Sequence, residues 1–200
     1  HTGCADMEMD PKNPNILYAA MWSHRRSPDF FDSGFNGKSG LFKSTDGGKT
    51  WNKIHNGFPN VTLGRIGIAA APSNGNILYA SVEAKEEKDK GLYKSLDAGA
   101  SWKKVNGDFN NSVRPFYFSR IVVDPNADSV LVKCAFTPII STDGGVKFRQ
   151  ISQSVHSDVH AAWIDPNNSN HILLGTDGGV YESLDRGYTF KMWMNLPVGQ

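Results

Sequence analysis

Ser44-Thr45-Asp46-Gly47-Gly48-Lys49-Thr50-Trp51 is the stretch on which the fold turns, because its pattern occurs four times. It returns as Ser95-Leu96-Asp97-Ala98-Gly99-Ala100-Ser101-Trp102, as Ser141-Thr142-Asp143-Gly144-Gly145-Val146-Lys147-Phe148, and as Ser183-Leu184-Asp185-Arg186-Gly187-Tyr188-Thr189-Phe190. The shared pattern is S-x-D-x-G-x-x-[W/F], with serines 51, 46 and 42 residues apart. Recurrence at such a period means a repeat architecture in which each repeat is one supersecondary unit. The pattern explains itself mechanically. An Asp carboxylate accepts from backbone N–H groups of its own turn, Gly supplies positive φ, and the aromatic anchors the turn. Asp46, Asp97, Asp143 and Asp185 therefore read as staples of a hairpin. Four equivalent aspartates cannot all serve one active site, and a single carboxylate per turn is a poor calcium site.

A second unit repeats out of phase. It reads Met9-Asp10-Pro11 to Asn15-Ile16-Leu17-Tyr18-Ala19, then Ala70-Ala71-Pro72 to Asn76-Ile77-Leu78-Tyr79-Ala80. Val123-Asp124-Pro125 and Ile164-Asp165-Pro166 open two further copies. Each copy is strand, Pro/Asn turn, strand. A third strand precedes each Ser-Asp-Gly box and a fourth follows it. Four short strands per 40 to 50 residues describe a β-propeller blade. The reading is all-β: four consecutive four-stranded antiparallel blades at about 4–54, 64–105, 117–151 and 159–193, within one segment spanning 1–200. No stretch has a helical period. Blade 1 owns four strands and so does blade 4, so no spare strand is left to interlock a ring; an open arc of a larger propeller is expected.

Composition agrees. Apolar residues make up 39% and charged residues 20%, with 20 Gly, 10 Pro, 5 Trp, 6 Tyr and 11 Phe. A net charge of +1 argues against a nucleic-acid partner held by phosphate neutralisation, and no stretch approaches a membrane span. No cofactor motif is present. Cys4 and Cys134 read as two buried free thiols, although an oxidising compartment would permit pairing. The chain begins at His1 without an initiator Met or leader, which suggests a mature product or a piece of a longer polypeptide.

The boxes and Asp-Pro turns resemble the Asp-box, or BNR-repeat, propellers: sialidases, xyloglucan-active glycoside hydrolases, photosystem assembly factors and the sortilin/Vps10 group. Leu63-Gly64-Arg65-Ile66-Gly67, Arg114-Pro115-Phe116-Tyr117-Phe118-Ser119-Arg120, His160-Ala161-Ala162-Trp163-Ile164-Asp165-Pro166 and Gly175-Thr176-Asp177-Gly178-Gly179-Val180 are similar to large bacterial secreted sortilin-like proteins of the BNR-repeat glycosyl hydrolase type. The resemblance implies an extracytoplasmic protein with more blades than four. It implies either a non-catalytic propeller binding peptide, protein or glycan, or part of a glycoside hydrolase. Its partners would be further blades of the same protein or another chain.

In an up-and-down blade the boxes and Asp-Pro turns share one rim. The other rim receives the loops 23–39, 55–62, 84–90, 106–116 and 152–159, where binding is expected. The richest is Ser23 to Ser39, with Arg25, Arg26, Phe30, Phe31 and Phe35. It either grips a peptide or sugar or folds onto a neighbouring blade. Arg114 joins this set. His156, Asp158 and His160 alternate, so at period 2 all three project to one side. They are a ligand-contact candidate and a weaker candidate metal set. Arg65, Arg114 and Arg120 invite comparison with sialidases, but no motif assembles the required Tyr117, Glu83 and Asp158. Arg65 and Arg120 are expected to pair with Asp6 and Glu8. A glycoside hydrolase needs two carboxylates across a cleft, and none of Asp6, Glu8, Asp29, Asp32, Glu83, Asp108, Asp158 or Asp177 is singled out by pattern. No catalytic residue is assigned.

Overall fold

The computed structural model describes residues 2–34, 36–108, 111, 114–151 and 154–196. Blade 1 contains β1 (Thr2–Met9), β2 (Leu17–Ser27), β3 (Phe30–Ser33), β4 (Gly40–Ser44) and β5 (Asn52–Lys53). Blade 2 contains β6 (Leu63–Ala71), β7 (Asn74–Ala84), β8 (Gly91–Ser95) and β9 (Lys103–Asn106). Blade 3 contains β10 (Ile121–Asp124), β11 (Ala127–Lys133), β12 (Ile139–Ser141) and β13 (Arg149–Gln150). Blade 4 contains β14 (Val159–Asp165), β15 (Asn168–Thr176), β16 (Gly179–Ser183) and β17 (Lys191–Met192). Each sheet is antiparallel and runs in chain order from inner to outer strand, with β3 paired to β2 alone. Helical structure among the described residues is limited to the 3-10 turn Glu87–Asp89 and a 3-10 position at Asn111.

Alternation decides how blades stack. Along β7, Leu78, Ala80 and Val82 point to blade 1 and, with Ile66 and Ile68 of β6, pack on Tyr18, Ala20 and Leu41 of that blade. Tyr79 points the other way, into a layer with Ala69, Leu92, Ile121, Val123 and Leu131. Blades 3 and 4 share Val132, Cys134, Ile140, Ile164, Ile172, Leu174 and Tyr181. A blade buried on both faces therefore reads as a nearly continuous apolar run.

Polar ties cross the same interfaces. The Tyr18 hydroxyl and the Lys43 ammonium both donate to the Ala98 carbonyl in the blade 2 box, at 2.8 and 2.6 Å. Arg149 donates to the Arg186 and Gly187 carbonyls of the blade 4 box at 3.0 and 2.9 Å. A cation of one blade thus caps the box of the next. Among the described residues, blade 1 is not packed on blade 4 as consecutive blades are packed on each other. The four blades form an arc.

Two expectations need correction. Ser23 to Ser39 is not a free loop: β2 runs on to Ser27 and pairs with β3 as a hairpin arm. Cys134 is buried, but Cys4 is exposed; both thiols are free.

Candidate functional site

The hairpin arm has two sides. Cross-strand neighbours share a side, and the register places Arg26 opposite Phe31 and His24 opposite Ser33. With Trp22 two residues earlier, one side carries Trp22, His24, Arg26, Phe31 and Ser33. The other carries Arg25 opposite Asp32 and Ser27 opposite Phe30. The first side is fastened to blade 2. Trp22 Nε1 donates to Ser33 Oγ at 2.8 Å, and Ser33 Oγ donates to Glu83 Oε2 at 2.7 Å. The Arg65 backbone N–H donates to the same carboxylate oxygen at 2.7 Å. The Arg65 guanidinium lies 5.2 Å from the Trp22 ring centre and donates to the Phe116 carbonyl.

That last bond fixes the connection between blades 2 and 3. Arg114 sits at φ 44°, and its carbonyl accepts from the Tyr117 and Phe118 N–H groups at 2.9 and 3.0 Å. Lys133, fully buried, donates to the Phe118 carbonyl at 2.8 Å. Burial pushes the Lys133 ammonium down to about 8.

Aromatic rings then run across the loop rim from blade 1 to blade 4. Trp22 stacks on His24 at 4.0 Å and meets Phe31 at 6.2 Å. Phe31 meets Phe116 at 4.9 Å, Phe116 meets Tyr117 at 4.5 Å, and Tyr117 meets Phe118 at 6.2 Å. Phe118 stacks on His160 at 5.3 Å, and His160 Nε2 lies 3.1 Å from Asp177 Oδ1. Arg26 donates to the Tyr117 hydroxyl at 3.4 Å. Phe31 and Tyr117 are exposed, at 38% and 48%. A supported row of exposed rings suits flat ligands with apolar faces.

The sequence candidates divide. Arg26, Phe31 and His160 belong to the ridge, and Arg114 frames it, with its guanidinium 5.5 Å from the Phe136 ring centre. Arg25 and Phe30 lie on the reverse side of the arm, and Phe35 lies outside the described residues. His156, Asp158 and His160 do not share a side. Asp158 adopts φ 61°, which breaks the alternation before β14 begins, and His156 Nδ1 lies 2.7 Å from the Ser157 carbonyl oxygen. Among the described residues no group of three or more His, Cys, Asp or Glu is placed to hold a metal. Trp22, His24, Phe116, Phe118, Asp177 and Lys133 were not legible as site residues. The alternation Trp22-x-His24-x-Arg26 is the one signal that extends β2 and puts those rings on one side.

The inner strands of all four blades line a second feature, a cavity of about 460 Å³ with Asp6, Glu8, Arg120, Ile68 and Trp163 in its wall. Asp6 Oδ2 accepts from the Ile68 N–H at 2.9 Å. The expected Arg65 and Arg120 ion pairs with Asp6 and Glu8 do not form within 4 Å: among the described residues the ion pairs involve only Lys and His. Burial, helped by the Asp6 charge, raises the Glu8 carboxyl to about 7. Both acids stand on β1, two residues apart, so they do not face each other across a cleft.

Comparison with known proteins agrees with this architecture. The family described as BNR/Asp-box repeat matches residues 42–53. The chain is 25% identical over 226 residues to the xyloglucanase Xgh74A of Acetivibrio thermocellus, covering 94% of this chain and 24% of that protein. It is 29% identical over 168 residues to the sortilin of Danio rerio, covering 78% and 19%. Among solved structures, the GH74 xyloglucanase from Xanthomonas campestris superposes with a TM-score of 0.66 at 15% identity, covering 97% of this chain and 31% of that one. The chain thus spans a quarter or less of the length of these two curated relatives. The fold is that of an Asp-box β-propeller.

Proposed function

We propose that this chain is the glycan-binding arc of a glycoside-hydrolase-type Asp-box propeller, and that the aromatic ridge is its binding surface. The ridge carries the reading. Pyranose rings present a flat face of C–H bonds that complements the negative face of an aromatic ring. Here Phe31 and Tyr117 offer such faces on a scaffold pinned from below by Glu83, Arg65 and Lys133. The similarity to xyloglucanases supports a β-glucan-type ligand. Asp177, exposed at the blade 4 end of the ridge, is the carboxylate a hydrolytic site there would use. Its opposing acid would come from outside these 200 residues. A polysaccharide too large to cross a membrane is met outside the cytoplasm, which supports an extracytoplasmic protein.

The partner that completes the arc is a further blade. Cys4, Met7, Ala19, Met21, Phe42 and Trp51 line an apolar hollow on the outer face of blade 1, and they occupy the positions through which blade 2 packs on blade 1.

Calorimetric titration of the full-length protein with xyloglucan oligosaccharides tests the reading. Binding that falls at least tenfold in Phe31→Ala and Tyr117→Ala, with melting temperature preserved, is expected. Binding unchanged in both variants would remove the ridge from the function. A propeller that binds peptide or protein instead would leave the oligosaccharides unbound.

A further inference from the structure

We infer that the ridge selects glycans bearing carboxylates, such as uronic acid units, over neutral ones, and that Arg26 and Arg114 read the carboxylate on either side of Tyr117. The inference rests on the ridge being a glycan surface. It comes from the charges that flank the rings.

Arg26 lies on the ridge side of the hairpin arm, and its guanidinium makes one long hydrogen bond, 3.4 Å, to the exposed Tyr117 hydroxyl. Asp32, the acid on β3, stands opposite Arg25 in the register and so projects from the reverse side. Glu83, the carboxylate beneath the ridge, already accepts from Ser33 Oγ and the Arg65 N–H through one oxygen. Arg65 adds a second positive charge below Trp22, and its Nε is buried with no hydrogen-bond partner. Arg114 adds a third. Its backbone is held at positive φ, a conformation that costs a non-glycine residue about 1 kcal/mol or more. That geometry directs its carbonyl to the Tyr117 and Phe118 N–H groups and leaves the exposed side chain over Phe136. Among the described residues no arginine has a carboxylate within 4 Å.

The charge of Arg65 is offset by Asp6 and Glu83, which leaves Arg26 and Arg114 as two exposed guanidinium groups, set around exposed rings, with no carboxylate within 4 Å among the described residues. A guanidinium fork matches a carboxylate in two parallel hydrogen bonds, a geometry that a neutral hydroxymethyl group cannot reproduce. The other end of the ridge has opposite character, because Asp177 is exposed there and held by His160. This polarity therefore orients the ligand: an acidic sugar sits at Tyr117, and a neutral one sits towards Asp177.

The test uses the full-length protein and two probes of the same linkage, a galacturonate tetramer and its carboxyl-reduced counterpart. Tighter binding of the acidic tetramer by about tenfold at low salt is expected, with the advantage shrinking as salt is added. Arg26→Gln and Arg114→Gln should each remove most of that advantage, weakening the acidic tetramer several-fold more than the reduced one, and equal weakening of both probes would also overturn the inference. Equal affinity for the two probes overturns this inference and leaves the glycan reading standing. Failure of every glycan to bind brings down both. If poly-glutamate competes as well as the tetramer, recognition is of charge alone and the glycan assignment of the acidic subsite is wrong.

Discussion

At the residue scale the four boxes are one structure built on four slightly different sequences. In each, the Ser hydroxyl donates to the Asp Oδ1 and accepts from the glycine N–H, at 2.8 and 2.9 Å in the first box. The Asp then accepts from the N–H four residues on, at 2.9 Å from Thr50. A hydroxyl at that position adds a bond to Oδ2, 2.6 Å from Thr50 and 2.6 Å from Thr189. These bonds hold the Asp46, Asp97 and Asp185 carboxyls down at about 2. The third box has Lys147 there and lacks the extra bond. Because the folded values lie below the unfolded ones, this support is complete above the ordinary carboxylate range and is lost as pH falls towards 2. Asp46→Ala should lower the melting temperature by a few degrees and leave glycan affinity intact. Lost binding at an unchanged melting temperature would contradict the structural role. The Asp and Gly were legible from pattern, but the second positive-φ residue was not, since Gly47, Ala98, Gly144 and Arg186 share no chemistry. Their φ values, 72°, 54°, 76° and 59°, show that each box needs two left-handed residues in succession. Ala98→Gly should therefore stabilise by roughly 0.5–1 kcal/mol in denaturant unfolding, the relief of a strained Ala outweighing the added freedom of the unfolded chain.

At the scale of strands, what could be read depended on whether the signal lay within one element. Blade order and the Asp-Pro turns were visible because each is a local alternation or a turn signal. The ridge was not, because its rings come from β2, β3, the 116–118 connection and β14, which only blade stacking brings together. The reading of His156, Asp158 and His160 as one side of a strand failed for a local reason: it assumed extended backbone through Asp158, which turns left-handed instead. The inner strand β1 yields a pH prediction. Glu8 holds its proton up to about 7 in the folded protein, whereas an unfolded Glu releases it near the ordinary value of about 4.3. Between those values the unfolded state binds fewer protons, so stability falls as pH rises, and the full penalty is reached above 7. Glu8→Gln should flatten this slope and exceed the wild type by roughly 1 kcal/mol at pH 8, a figure reduced for the water that reaches a partly exposed carboxyl. Parallel urea unfolding curves for the two proteins from pH 4 to pH 8 would show Glu8 to be uncoupled from folding.

At the scale of the whole arc, the two end faces are unlike, and the difference says what each can meet. Register equates Met7 with Ile68, since they stand opposite Ala19 and Ala80, and Phe42 with Tyr93, which face the same alanines from the other strand. Ile68, Ala80 and Tyr93 are buried against blade 1, but Met7 is 59% exposed on the outer face of blade 1. The far face of blade 4 is more polar. Where blades 1 and 2 carry Lys43 and Lys94, blade 4 carries Glu182, held by His171 Nε2 at 2.9 Å. Lys43 reaches the Ala98 carbonyl of the next box, so an equivalent partner of blade 1 should offer a cation to the Gly47 carbonyl. Glu182 would bring a carboxylate to that carbonyl instead, which disfavours both ring closure and head-to-tail stacking of identical copies. The exposed apolar face of blade 1 nonetheless seeks cover, because a contiguous patch of this kind is uncommon on a stable monomer. The 200-residue chain alone should therefore self-associate with rising concentration in sedimentation or light scattering. Phe42→Glu should restore the monomer by placing a charge in the apolar hollow, while Leu173→Glu on blade 4 should change the association little. A wild-type chain that stays monodisperse and monomeric at every concentration would show that the blade 1 face needs no partner, and equal rescue by both substitutions would show that the two ends pair with each other after all.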